Sequence, residues 1–350
     1  MQGLVLHKPS GRSSSPQQEP PASSSAPRPL PELPEGDALR CCHTCNKSEV
    51  PGVKLKECGG CRNILYCSGK CQKAEWPQHK AVCQAGPPAQ QEKLAQYGYS
   101  SAAAFSRDIR DYVNAHSWAI GNLVTIQRQI WRDTHPNAPI TEQPRLITFF
   151  LRCQTTPDSH KNRNPATRFA LMGEPTVRDM EKWKRDCPHW WKQGQAGRAQ
   201  LEEGYVREYG SEYIDILSIE YFVPETNSCT MDFAPLLTPV EPLPNPRSRW
   251  PLFSDMTIFS MRSMNHGFPL RASEESSRVG IPGRFVRLGS TWKWEPLCTS
   301  WDEYRPGRGN GKDAASVYRE LDLAISARVF WPGSMPTLME AQAWYCTITG

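Results

Sequence analysis

Eight residues that can bind a metal fall within one short stretch of the chain, and they come in four pairs. The pairs are Cys42–Cys45, Cys58–Cys61, Cys67–Cys71 and His79–Cys83. A Cys-x2-Cys pair in a tight turn presents two sulfurs to one metal, and an x3 pair on a helix places both ligands on one face. Structural zinc takes four nitrogen or sulfur ligands in a tetrahedron. The pattern therefore predicts two closed Zn²⁺ sites with no open position for water, which is typical of a structural role.

Two neighbouring residues are alternative ligands. Cys41 stands four residues before Cys45, so this pair also has a usable spacing, but the Cys-x2-Cys spacing favours Cys42. His43 lies inside the first pair and is expected to be exposed. The spacing does not decide which pairs share a metal, because sequential and interleaved pairings both satisfy it.

The remaining cysteines are far apart and are expected to be buried thiols. They are Cys153, Cys187, Cys229, Cys298 and Cys346. The clustering of the others indicates metal binding in a reducing compartment, not disulfides. The first 15 residues lack the apolar core of a secretory signal, and no stretch approaches the roughly 18 apolar residues of a membrane span. We therefore expect a cytoplasmic or nuclear protein.

The cysteine run resembles the MYND zinc finger over residues 40–84. The resemblance rests on the four ligand pairs, the Tyr66-Cys67 dipeptide and Trp76. In that family the first and third pairs share one zinc ion, and the second and fourth share the other. The resemblance therefore implies two cross-braced zinc sites. One would use Cys42, Cys45, Cys67 and Cys71, and the other Cys58, Cys61, His79 and Cys83.

MYND fingers of similar sequence bind short proline-rich peptides, often of the form Pro-x-Leu-x-Pro. The resemblance carries the peptide contacts to Gln72 and Trp76, whereas Gly59 departs from the small polar residue that the family often has there. The chain's own segment Pro235–Pro239 fits the same pattern, and the segment Pro29–Pro34 is similar to it. One hypothesis is that one of these segments occupies and masks the finger.

Composition divides the chain into four parts. Residues 1–38 are rich in serine and proline and are predicted to be disordered. The finger spans 40–84, a linker 85–98, and a mixed α+β domain of unknown function 99–350. Helices are predicted from Phe105 to Trp131 and over 176–186, 198–209 and 314–325, and strands over 146–153, 213–222, 252–261, 284–288 and 344–349.

The net charge of +5 gives no support to nucleic-acid binding. The surplus of positive charge lies in the finger, and the rest of the chain carries 33 basic and 33 acidic residues. A duplex-binding domain usually has a much stronger basic face. Nucleic-acid binding is therefore kept only as an alternative function.

The catalytic motifs that we tested are incomplete. Some MYND proteins are SET-domain lysine methyltransferases, which need an Asn-His-Ser-Cys motif; the nearest match is Asn265–Phe268. Residues 309–313 are similar to the end of a P-loop, but Pro306 replaces the motif's first glycine and Asp313 its Ser/Thr. The Cys187-Pro188-His189 sequence is interpreted as packing. We therefore predict a non-enzymatic scaffold or regulator. An unrecognised catalytic site within 99–350 and a SET-like methyltransferase are the enzymatic alternatives.

Overall fold

The structure is a computed structural model of the 350-residue chain. It describes residues 42, 44–45, 47, 54–59, 64–80, 83, 88–156, 164–238, 250–272, 279–289, 291–305, 307 and 312–326. The predicted tail 1–38, the segment Pro29–Pro34 and the predicted strand 344–349 lie outside these residues. None of the described helices is both long enough and apolar enough to cross a membrane.

The cysteine-rich part is built on a short hairpin and one helix. Strands β1 (Lys56–Glu57) and β2 (Leu65–Tyr66) pair antiparallel, and α1 (Gly69–His79) follows directly. A small core lies beneath them. Its buried members are Cys42, Leu55, Cys58, Ile64, Leu65 and Tyr66. A core of this size is too small to hold a fold by apolar burial alone, so this part needs a further source of stability.

A five-stranded sheet lies at the centre of the globular part. Its strands are β3 (Leu146–Cys153), β4 (Phe169–Leu171), β5 (Thr176–Val177), β6 (Tyr213–Val223) and β7 (Ser228–Leu237). β3 runs parallel to β6, and the other pairings are antiparallel. A parallel pair needs a crossover connection, which here includes two helices.

Helices cover both faces of this sheet. They are α2 (Pro88–Ala95), α3 (Ala102–Ala115), α4 (Ser117–Thr134), α5 (Met180–Asp186) and α6 (Pro188–Tyr209). α3 and α4 pack on one face, where Phe105 and Tyr112 meet Phe169 edge-on. α5 and α6 pack on the other, where the Tyr205 hydroxyl donates to the Phe233 carbonyl. The globular part is therefore a mixed helix and sheet structure, as predicted.

A second, smaller sheet follows. Its strands β8 (Leu270–Ala272), β9 (Gly280–Leu288) and β10 (Thr291–Pro296) pair antiparallel in the order β10-β9-β8. Helices α7 (Trp250–His266) and α8 (Lys312–Ser326) pack beside it.

A buried carboxylate joins the central sheet to α5. Glu220 accepts hydrogen bonds from Thr148 (2.7 Å), Arg178 (3.2 Å) and the Trp183 indole N–H (3.0 Å). A buried charge is costly unless it is paired and hydrogen-bonded, and Glu220 has both kinds of partner. Its role is therefore to hold the crossover against the sheet.

Several predicted elements are confirmed, and two are wrong in part or whole. β3 has the predicted bounds, and β6 extends one residue beyond its prediction. The strand predicted over 252–261 is wrong, because these residues lie in α7. The helix predicted from 176 begins at Met180, because residues 176 and 177 pair with β3 instead. The linker predicted over 85–98 contains α2, whose Leu94 is fully buried in the main core.

The hypothesis that Pro235–Pro239 masks the finger needs correction. Its described residues form the end of β7, where Pro235 lies opposite Ile216 and Leu236 opposite Asp215. Pro235 and Leu236 are both buried. Because the sheet already uses this segment, it is not available as a ligand of the finger while the sheet is intact.

Candidate metal centre

One cluster of metal-ligating atoms combines the first and third cysteine pairs. The sulfurs of Cys42, Cys45, Cys67 and Cys71 all lie within 4.8 Å of one another. The Sγ–Sγ distance is 3.5 Å between Cys45 and Cys67 and 3.6 Å between Cys67 and Cys71. A tetrahedral zinc with Zn–S bonds of about 2.3 Å has sulfurs about 3.8 Å apart. The four thiols are therefore spaced as ligands of a single zinc ion.

A second cluster combines residues of the second and fourth pairs. Its described members are Cys58, His79 and Cys83, whose ligand atoms also lie within 4.8 Å of one another. His79 Nε2 lies 3.3 Å from Cys58 Sγ, and Cys83 Sγ lies 3.6 Å from the same sulfur. Cys61, the remaining predicted ligand, lies outside the described residues. The distances again fit the edges of a zinc tetrahedron.

The grouping is interleaved along the chain, which is the arrangement that the resemblance implied. Helix α1 explains how it arises, since Cys71 near its start belongs to the first cluster and His79 at its end to the second. Eight helical residues span about 12 Å. One helix therefore bridges both clusters, so a metal bound in either cluster would fix its position.

The surroundings of the thiols suit a bound cation. Burial pushes the pKa of Cys42 upward, but hydrogen bonds from the backbone N–H groups of Cys67, Cys45 and Thr44 outweigh it and lower that pKa to about 7. Burial and the neighbouring thiols raise the pKa of Cys45 to about 12. Four thiolates this close repel one another unless a cation lies between them. Zinc supplies that charge and keeps its thiol ligands deprotonated.

The histidine of the second cluster is in the form that a metal needs. Burial lowers the pKa of His79, so the imidazole is neutral and keeps a lone pair for coordination. Its Nε2 is the ring atom that lies next to Cys58 Sγ.

Two residues that sequence reasoning missed hold the ligands in place. Ser68 is the N-cap of α1, and its Oγ accepts a hydrogen bond from the Cys71 N–H at 3.2 Å. Thr44 donates its hydroxyl to the Cys71 carbonyl at 2.9 Å. A serine just before a helical segment is a recognisable capping signal, so Ser68 was readable from the sequence. The Thr44 contact depends on tertiary structure.

The two predicted peptide contacts lie on α1, one turn apart. The Trp76 side chain is 41% exposed, and its ring meets the His79 ring edge-on at 5.9 Å. Gln72 is half-buried, and its Nε2 lies 3.9 Å from Cys58 Sγ. Both residues therefore contact the second cluster, while Trp76 leaves a large apolar surface open to solvent.

An ion pair connects this part of the chain to the globular part. Glu57 of β1 lies 2.9 Å from Arg107 of α3. Glu57 precedes Cys58, so the contact lies next to a residue of the second cluster.

Several residues of the incomplete catalytic motifs have contacts or positions in the fold that the structure describes. Asn265 accepts a hydrogen bond from the Leu171 N–H at 2.7 Å, and His266 lies 3.2 Å from Glu320. Cys187 joins α5 to α6, and burial raises the pKa of its thiol. Lys312 is the first residue of α8.

Comparison with known proteins matches only the cysteine-rich part. The family model described as "MYND finger" matches residues 42–83. SET domain and MYND-type zinc finger protein 6 of Schizosaccharomyces pombe is 43% identical over 53 residues, which are 15% of this chain and 10% of that protein. Histone-lysine N-methyltransferase SMYD3 of Homo sapiens is 46% identical over 39 residues, 11% of this chain and 9% of that protein.

A third relative has neither a SET domain nor a methyltransferase in its name. Zinc finger MYND domain-containing protein 10 homolog of Drosophila melanogaster is 41% identical over 49 residues, 14% of this chain and 10% of that protein. The chain thus spans about a tenth of the length of these relatives. No solved structure matches the chain. The family match and the two ligand clusters agree: residues 42–83 are a MYND-type zinc finger, a protein-interaction module.

Proposed function

We propose that this chain is a zinc-dependent scaffold or regulator whose finger recruits partner proteins through proline-rich segments of the form Pro-x-Leu-x-Pro. The observation that carries the proposal is Trp76, a tryptophan 41% exposed on a helix that both metal clusters hold. Covering so large an exposed apolar side chain with a ligand is favourable, because it removes apolar surface from water. Proline-rich segments dock on such aromatic surfaces because their extended conformation is already formed.

The finger holds two zinc ions in a cross-braced arrangement. The separation of the clusters along α1 supports two ions, since about 12 Å is too far for one ion to bridge. Each ion adds roughly 10–16 kcal/mol of apparent binding free energy, which replaces the stability that the small core lacks. With both ions bound, Gln72 and Trp76 are fixed as one surface, and a reducing cytoplasm or nucleus keeps the thiols available.

The globular part acts without catalysis in this proposal. The names that mention a SET domain or a methyltransferase belong to relatives that match only the finger, so they describe those proteins. Asn265 and His266 have contacts within the fold, with the Leu171 N–H and with Glu320 respectively.

The test is peptide titration into the full chain after native mass spectrometry has counted the zinc ions. A Pro-x-Leu-x-Pro peptide is expected to bind wild type, and Trp76→Ala and Gln72→Ala are expected to weaken binding at least tenfold and severalfold, respectively. Trp250→Ala is the matched control, since Trp250 is 48% exposed on α7. The proposal is supported if every variant holds two zinc ions and only the finger variants lose peptide binding. Equal weakening by the control would contradict it.

A further inference from the structure

We infer that the segment bound by the finger is acidic as well as proline-rich, with two carboxylates that meet Lys73 and Lys80. The inference rests on the proposed function, since it describes the partner of the same surface. Lys73 and Lys80 set specificity next to the apolar contact of Trp76.

The two lysines flank Trp76 along α1. Lys73 lies three residues before it and Lys80 four residues after it, so both are its neighbours on the helix surface. The helical hydrogen bonding continues to Lys80, whose N–H donates to the Trp76 carbonyl at 2.8 Å. Lys73 and Lys80 are exposed, like Trp76 itself. On the helical wheel both lysines lie on the side of Trp76 that is turned away from Gln72 and His79.

The described acidic residues of the finger do not neutralise these lysines. Glu57 is paired with Arg107 of α3, and Glu75 is only 5% exposed. None of the ion pairs between described residues involves Lys73 or Lys80. The open face of α1 therefore carries an apolar centre with an ammonium group at each end. Complementary charge on a partner is the arrangement that gives such a surface its specificity.

The distance between the lysines sets the spacing of the acidic residues. Lys80 lies seven positions after Lys73, which corresponds to about 10 Å along the helix axis. An extended proline-rich segment advances about 3.1 Å per residue. Carboxylates three or four positions apart in the peptide therefore reach both lysines while the residues between them cover Trp76.

A peptide fits this surface better than a nucleic acid does. Proteins that bind single-stranded nucleic acid contact its phosphate backbone through a continuous basic groove. Here the arginine of the globular part that contacts the finger, Arg107, is already paired with Glu57. Two lysines and one tryptophan form a short site, suited to a few residues of protein.

The experiment uses the full chain and three synthetic peptides with one core. The first contains Glu-Pro-Ala-Leu-Glu-Pro; the second has glutamine and the third lysine at both glutamate positions. Wild type is expected to bind the glutamate peptide roughly threefold to tenfold more tightly than the glutamine peptide at low salt, with the difference shrinking as salt is added. The double variant Lys73→Glu/Lys80→Glu is expected to lose this preference and to favour the lysine peptide.

Two controls separate this inference from the function on which it rests. Lys54→Glu changes an exposed lysine outside α1 and is expected to keep the wild-type preference. Native mass spectrometry must show the same zinc content in all variants, so that misfolding is excluded. Equal binding of the three peptides to wild type would overturn the charge inference and leave the proposed function intact. If wild type bound none of the three peptides, both the charge inference and the proposed function would be contradicted. Binding of a single-stranded oligonucleotide instead of the peptides would also contradict both.

Discussion

At the scale of single residues, the finger depends on side chains that are not metal ligands. Ser68 fixes the first turn of α1, and this turn places Cys71 in the first cluster. The Gln72 amide lies next to the Cys58 sulfur of the second cluster. Loss of the Ser68 cap is therefore expected to weaken metal binding without removing a ligand.

Ser68→Ala tests this dependence. Loss of an N-cap costs about 1 kcal/mol, and we expect zinc affinity to fall about fivefold, because folding of α1 and metal binding are coupled. Competition with a chromogenic chelator measures the affinity. Ser101→Ala is the matched control, since Ser101 caps α3 in the same way but lies far along the chain from the ligands. A zinc affinity that falls equally in both variants would show that Ser68 has no special role.

At the scale of elements, the small sheet is held together by close packing of aromatic rings on glycines. A side chain placed on Gly283 of β9 would collide with the Trp294 indole of β10. That indole also donates a hydrogen bond to the Pro269 carbonyl at 3.2 Å. The tryptophan therefore occupies the space that the glycine leaves, and it ties the hairpin to the residue before β8.

Gly283→Ala is expected to destabilise the chain by about 1–3 kcal/mol, because the indole must move out of its place. Denaturant unfolding followed by tryptophan fluorescence measures this loss. Gly173→Ala, where an added carbon meets nothing within 4 Å, is expected to change stability by less than about 0.5 kcal/mol. Equal stability of the two variants would show that the contact with Trp294 is unimportant.

The elements also show what sequence patterns can and cannot predict. The strand Leu146–Cys153 was predictable because it is a mostly apolar run that is largely buried on both faces. Helix α7 was mistaken for a strand because it is buried on most sides, so no polar stripe marks its helical period. The short strand at 176–177 exists through its pairing with β3, which no local pattern records.

The metal site was more predictable than the fold around it. The ligand types and their spacing follow from the chemistry of structural zinc, so the eight residues could be chosen from the sequence alone. The grouping into two clusters could not be predicted from the sequence alone. It depends on how the β1–β2 hairpin and α1 bring ligands from distant parts of the chain together. The resemblance to a known family implied that grouping. The Glu57–Arg107 contact and the Thr44 hydroxyl required the structure.

At the scale of the whole molecule, the two parts of the chain have different sources of stability. Six of the finger's described residues form a small buried core, which leaves this part dependent on metal. The globular part instead has large apolar clusters on both faces of its central sheet. Removing zinc should therefore unfold the finger and leave the globular part folded.

Hydrogen exchange after chelation tests this separation. Amides of α1 are expected to exchange rapidly once zinc is removed, while those of β3 and β6 keep their protection. Adding zinc back is expected to restore protection in α1 and serves as the control. Loss of protection in β3 and β6 together with α1 would mean that the two parts fold as a single unit.

The central claim is that the zinc-held surface of α1 recruits the partners of this protein. The most direct measurement compares the proteins that copurify from cells with wild type, with Gln72→Ala/Trp76→Ala and with the Trp250→Ala control. We expect the finger variant alone to lose a set of partners that share acidic, proline-rich segments, although its zinc content is unchanged. An identical set of partners for all three proteins would contradict it and would place recruitment elsewhere in the chain.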